Sequence, residues 1–181
     1  PLASRLHVVA ETLGITDRVR FHGKISETKK WRHLIEGDCF VSASLHEGFG
    51  IMFLEAMYAG LPIVATNAGG NTDMLLLGTN ALLVPPSEPK ALAHSMEVIL
   101  GDGALRGRMR SANLERVQRY LVERTADRYE KLFERLVRAR APAGQRAAPG
   151  PEIVRAPAEG QEGPEALFAR EEGKGNRPRI P

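Results

Sequence analysis

The chain has 181 residues, of which 43% are apolar, and carries a formal net charge of +3. This length suits one ordinary domain with a sizeable core, and the interspersed basic and acidic residues give little support to nucleic-acid binding. A membrane span is excluded for the most apolar stretch, because Glu55, Gly60 and Pro62 interrupt it short of the roughly 20 apolar residues required.

The first 37 residues predict a helix, a strand and a second helix. The opening helical pattern ends near Gly14, and its apolar stripe consists of Leu2, Leu6, Val9 and Leu13. RVRFHGKI is short and β-rich, and it predicts a strand at Val19–Phe21. SETKKWRHLIEG predicts a helix with Ser26 as its N-cap.

Three further strands are predicted downstream. DCFVSAS and PIVAT are continuous apolar runs, a pattern typical of strands covered by helices on both faces. Between them lie a loop at His46–Gly50 and a helix over about 51–59. ALLVPP predicts the last strand, followed by a helix with Ser87 as its cap and Pro89 in its first turn. Helical patterns then cover about 104–120 and 122–138.

This alternation of strands and helices predicts an α/β fold, a Rossmann-like parallel sheet with helices on both faces, over residues 1–138. Residues 139–181 are rich in Ala, Pro, Gly and charge and predict a disordered tail. The single cysteine, Cys39, predicts a buried, inert thiol and a reducing, cytoplasmic location. The five histidines have no partner at metal-ligand spacing, so neither a metal nor a cofactor is predicted.

The stretch EGFGIMFLEAMYAGLPIVATNAGG sets Glu47 and Glu55 eight positions apart without a basic residue. Ligands of open α/β sheets bind at the carboxyl ends of the strands, where Gly48 and Gly50 allow close backbone approach. The following helix would offer its N-terminus to an anion. A carboxylate one turn later, without a cationic partner, suits the vicinal hydroxyls of a ribose, and Glu47 suits sugar hydroxyls. A sugar nucleotide presents these groups in that order.

This motif, with DRVRFHGKIS, DCFVSASLHEGFG and ALLVPPSEPKALA around it, resembles the E-x7-E region of the GT-B retaining glycosyltransferases, in particular family four. The resemblance covers about residues 1–138. It implies transfer of a hexosyl group from a UDP- or GDP-hexose donor with retention of configuration. It places the donor sugar on Glu47, the ribose on Glu55 and the base beside the loop of Gly23, Lys24 and Ile25. Sugar and phosphate would contact the backbone of Gly48, Phe49, Gly50 and Ile51.

The resemblance also implies that the chain is a fragment, the C-terminal half of a GT-B fold without its first two strands. The family strand order 3-2-1-4-5-6 would then leave a gap between Val19–Phe21 and Cys39–Val41, and the fragment is expected to be inactive alone. The acceptor site, and any peripheral membrane association, would belong to the N-terminal half. The family has a Glu after its Gly-Gly turn where this chain has Asp73, so that segment departs from the pattern.

Other interpretations remain open from the sequence. Glu55 can serve only as a favourable partner of the helix dipole, Glu47 can be an ordinary loop charge, and Phe49 can fill the core at the strand end. The chain as a whole can be a non-catalytic nucleotide-sugar-binding remnant, or a structural module that docks on a partner. A dinucleotide oxidoreductase is disfavoured, because no G-x-G-x-x-G follows a strand.

Overall fold

Three short parallel strands lie between helices in the computed structural model, which describes residues 2–140. The strands are β1 (Phe40–Ser42), β2 (Ile63–Thr66) and β3 (Ala81–Val84). The helices are α1 (Leu2–Thr12), α2 (Glu27–Glu36), α3 (Ile51–Tyr58), α4 (Pro89–Gly101), α5 (Gly103–Val117) and α6 (Val122–Arg140). Short 3₁₀ turns occur at Thr16–Arg18, Gly69–Asp73 and Gln118–Tyr120.

The predicted tail lies outside the described residues, apart from its first two positions, which belong to the last turn of α6. Within residues 2–140, no helix combines the length and the apolar character needed to cross a bilayer.

The sheet has the strand order β1-β2-β3, and both pairings are parallel. Val64 in the central strand pairs with Val41 on one side and with Leu82 on the other. Because all three strands run in the same direction, their carboxyl ends, at Ser42, Thr66 and Val84, lie at one edge. The loop after β1 and the turn after β2 therefore leave the sheet side by side.

The core lies on both faces of the sheet, which confirms the predicted α/β architecture. All four residues of β2 are buried, and they alternate between the faces. Ile63 and Ala65 belong to a cluster with side chains of α2, α3 and α5. Val64 packs on the other face with Ile99 of α4 and Met109 of α5. Continuous apolar strands are the expected result of covering both faces with helices.

The predicted strand at Val19–Phe21 is wrong, because this segment pairs with no strand in the described part of the chain, although the backbone at Val19 is extended. A strand needs a neighbour to satisfy its backbone groups, and among residues 2–140 none lies beside it. Phe21 instead stacks on His7 of α1, with ring centroids 4.1 Å apart. The sheet thus has three of the four expected strands, and β1 is at its edge. Helix α1 is present, but its apolar stripe, Leu2, Leu6, Val9 and Leu13, is exposed.

The predictions for the helix starts and for the cysteine can be compared with the structure residue by residue. Ser26 caps α2 as predicted, since its hydroxyl accepts a hydrogen bond from the Lys29 amide at 3.4 Å. Ser87 does not cap α4, because the N-cap is the next residue, Glu88, and Ser87 itself has a left-handed φ of +62° outside the helix. Pro89 is the first residue of α4, as predicted. Cys39 is only partly buried, not buried as predicted, because it directly precedes the edge strand β1.

Candidate functional site

The loop after β1 is held by the turn after β2. The Gly70 amide donates a hydrogen bond to the Glu47 carbonyl oxygen at 2.8 Å, and the Thr66 hydroxyl donates one to the Ser44 carbonyl oxygen at 2.5 Å. A Cβ atom on Gly70 would overlap the carbonyl oxygen of Gly48. The Gly-Gly pair is therefore needed where the two backbones touch, and it fixes the path of the glycine-rich loop.

Gly50 turns the end of that loop into α3. It has φ +77°, a left-handed conformation that favours glycine, and it is the N-cap of the helix. Its carbonyl oxygen accepts the first helical hydrogen bond, from the Phe53 amide at 2.9 Å. The amides at the start of α3 therefore face the carboxyl edge of the sheet, which suits an anion. Glu47 is half-buried just before this turn.

Two apolar residues of the motif, Phe49 and Ile51, face solvent. Phe49 is 52% exposed and meets the ring of Tyr120 edge-on, at a centroid distance of 6.4 Å. Ile51 is also exposed. The interpretation of Phe49 as a core residue is therefore wrong, since the core at this end is filled by Phe53 instead. Sequence reasoning did not find Tyr120, because it lies 70 positions after Gly50, the last residue of the loop.

Glu55 lies one turn into α3 and has a cationic partner. Its Oε1 atom is 2.7 Å from the Nζ atom of Lys30, on α2. The side chain of Glu55 is 24% exposed and that of Lys30 is 30% exposed, so the contact is partly shielded from water. The expectation of an unpartnered carboxylate is wrong, because the cation comes from a different helix rather than from the stretch around Glu55.

Lys30 also contacts a second carboxylate, Glu27 Oε2, at 2.7 Å. Hydrogen bonds to Glu27 and then to Glu55 raise the pKa of Lys30 above its ordinary value, so the ammonium stays charged at neutral pH. The only sequence signal for Lys30 is the Ser26 cap, which sets the register of α2. Nothing in the sequence indicates a contact with a residue twenty-five positions later.

The loop predicted beside the nucleobase precedes α2 directly. Gly23 has φ +59° and is exposed with Lys24, whereas Ile25 is partly buried. The loop continues into α2, and Lys30 of α2 contacts Glu55, the second glutamate of the motif. The loop and Glu55 are therefore connected through α2.

A shallow cleft of about 160 Å³ adjoins Glu55. It is mainly apolar, and its walls come from α2, α3, α5 and the segment after α5: Trp31, Leu54, Glu55, Tyr58, Val117, Tyr120 and Leu121.

Asp73, the residue that departs from the family pattern, is exposed at the end of its turn, where its carbonyl oxygen accepts a hydrogen bond from Arg116 at 2.7 Å. Among residues 2–140, no three His, Cys, Asp or Glu side chains are grouped so as to hold a metal ion.

The sequence of this chain matches a known protein family. The family model of the glycosyl transferases group 1 matches residues 1–116. The chain belongs to this family. Among curated relatives, this chain is 34% identical over 129 residues to the lipopolysaccharide core biosynthesis glycosyltransferase LpsE of Rhizobium meliloti, covering 71% of the chain and 37% of LpsE. The chain thus spans little more than a third of that relative's length.

Solved structures show the same fold. Sucrose-phosphate synthase from Thermosynechococcus elongatus matches with a TM-score of 0.68 and 30% identity, over 75% of this chain and 34% of the other. Anabaena Alr3699/HepE in complex with UDP matches with a TM-score of 0.66 and 27% identity, over 73% and 36% of the two chains. The Anabaena protein has also been solved with UDP-glucose. The α/β fold of the described residues therefore matches a part of the GT-B glycosyltransferase fold.

Proposed function

We propose that this chain binds the nucleotide-sugar donor of a hexosyltransferase that acts with retention of configuration. The observation that carries the proposal is the half-buried Glu55 carboxylate, one turn after a glycine-rich loop at the carboxyl edge of a parallel sheet. The complexes of the similar Anabaena protein with UDP and UDP-glucose support a nucleotide-sugar ligand. A UDP- or GDP-hexose is the proposed donor.

The proposed roles follow the order of groups along the donor. Glu55 accepts hydrogen bonds from the ribose hydroxyls, and the backbone of Gly48, Phe49, Gly50 and Ile51 contacts phosphate and sugar. Glu47 positions the sugar. The base lies beside the loop that precedes α2, formed by Gly23, Lys24 and Ile25. No metal ion or cofactor is needed for any of these contacts.

In the proposed reaction, the nucleoside diphosphate leaves the anomeric carbon and negative charge develops on its phosphate oxygens. The amides at the start of α3 stabilise that charge, and Glu47 holds the sugar as its positive charge develops. The chain spans little more than a third of LpsE, so we propose that it binds the donor without transferring sugar alone. The acceptor then binds outside this chain. The cytoplasmic location stays a prediction.

Titration of the 181-residue chain with UDP and with GDP, by calorimetry, tests the proposal. We expect one of them to bind, and Glu55→Ala to cost about 2 kcal/mol, roughly a thirtyfold rise in Kd, because the ribose hydroxyls lose a charged acceptor. Glu115→Ala, which removes an exposed carboxylate of α5, is the matched control and should bind as the parent does. Absence of nucleotide binding would favour the structural-module interpretation, and binding unchanged by Glu55→Ala would remove the ribose role.

A further inference from the structure

The ammonium group of Lys30 lies between two carboxylates on different helices. It is 2.7 Å from Glu27 Oε2, one turn earlier on α2, and 2.7 Å from Glu55 Oε1 on α3. It also lies 5.8 Å from the centre of the Trp31 ring, which lines the cleft beside Glu55. Glu27 is largely exposed, at 78%, whereas the Lys30–Glu55 contact is shielded. The two contacts hold a flexible lysine side chain in one position.

The contact with Lys30 makes the two carboxylate oxygens of Glu55 different. Oε1 accepts the hydrogen bond from Lys30, while Oε2 makes none with the described part of the chain. A carboxylate anchored at one oxygen keeps the other in a fixed direction, so less side-chain entropy is lost when a ligand hydroxyl binds. The ammonium charge also offsets that of the carboxylate, which weakens its repulsion of a nearby diphosphate.

We infer that Lys30 is a positioning residue, which orients Glu55 to accept the hydroxyl groups of the donor's ribose. The inference rests on the proposed function and deepens it, because it names the residue that prepares the ribose contact. Lys30 acts through Glu55 and needs no contact with the reacting atoms. Its loss must therefore weaken ribonucleotide binding more than deoxyribonucleotide binding, which lowers the discrimination between ribose and deoxyribose.

The test measures Kd for ribo- and deoxyribonucleotides, UDP against dUDP and GDP against dGDP, on the 181-residue chain. For the parent chain we expect the deoxyribonucleotide to bind at least about tenfold more weakly, the size of a hydrogen bond to a charged group. In Lys30→Met this ratio should fall below about threefold, because Glu55 is no longer oriented. Lys30→Arg should restore most of it, since a guanidinium also pairs with a carboxylate.

Lys29→Met is the matched control, because it removes the same charge from an exposed neighbour on α2 and should keep the parental ratio. If Lys30→Met does not fold, as judged by circular dichroism, Glu27→Gln decides instead. It leaves Lys30 charged but removes one of its two anchors, so the ratio should fall by about two- to threefold.

Three results would overturn the inference. A parental ratio in Lys30→Met or in Glu27→Gln shows that Glu55 needs no support, even if nucleotide binding and the Glu55→Ala effect are intact. Tighter ribonucleotide binding in Lys30→Met shows that Lys30 competes with the ribose. Absence of binding to the parent chain removes the proposed function and the inference together, so the two failures are distinguishable.

Discussion

The backbone amide of Gly70 donates a hydrogen bond to the carbonyl oxygen of Glu47 across 2.8 Å, which joins the turn after β2 to the loop after β1. The neighbouring carbonyl oxygen of Gly48 occupies the space that a side chain on Gly70 would take. The backbone position of Glu47, the first glutamate of the motif, therefore depends on a glycine in the turn after β2.

Gly70→Ala should lower the free energy of unfolding by about 2–3 kcal/mol, because the new methyl group forces two backbones apart. Urea denaturation followed by circular dichroism measures the change. Gly107→Ala is the control: a Cβ there meets nothing within 4 Å, and alanine stabilises a helix by about 0.5–1 kcal/mol over glycine. A Gly70→Ala chain as stable as the parent would show that the loop adapts freely.

Glu47→Gln should weaken binding of a nucleotide sugar but leave the free nucleotide unaffected, because the proposed contact of Glu47 is with the sugar. We expect the affinity gained from the sugar to fall by about tenfold, the value of a hydrogen bond to a charged acceptor. Calorimetry with UDP and UDP-glucose, or with their GDP counterparts, measures this difference. If both ligands weaken equally, Glu47 supports the loop rather than the sugar.

Asn113→Ala should lower the free energy of unfolding by about 2–4 kcal/mol, because it leaves buried polar groups without a hydrogen-bond partner. Asn113 is fully buried on α5, donates to the Leu61 carbonyl oxygen at 2.7 Å and accepts from the Asn80 amide at 2.9 Å. Asn67→Ala, at an exposed position, is the control in the same denaturation experiment. A loss of stability below about 0.5 kcal/mol, the usual range of surface substitutions, would contradict the structural role of the Asn80–Asn113 pair.

Burial raises the pKa of the Cys39 thiol to about 11. The thiolate is the reactive form, so alkylation at pH 8 should be about 100-fold slower in the folded chain than in the chain unfolded by urea. The unfolded state loses its proton first as pH rises, so this thiol lowers the stability of the fold from about pH 9 to pH 11. Equal alkylation rates in the two states would show that the thiol is not shielded.

The sequence by itself determined the elements that depend on local pattern. Continuous apolar runs predicted β1, β2 and β3, because strands covered on both faces have no polar period. The Ser26 cap and Pro89 marked helix starts, since both act within one turn. The glycine spacing around Glu47 predicted the loop that precedes α3. These features also identified the family, whose motif is a local one.

Only the tertiary structure decided the rest, because it depends on contacts between distant segments. Val19–Phe21 has strand-like composition but no neighbouring strand to complete its hydrogen bonds. Glu55 looked unpartnered in its own stretch, yet the fold brings Lys30 from α2 to within 2.7 Å of it. The local sequence predicts each helix separately, but only the packing of α2 beside α3 places a cation at the carboxylate proposed to bind the ribose.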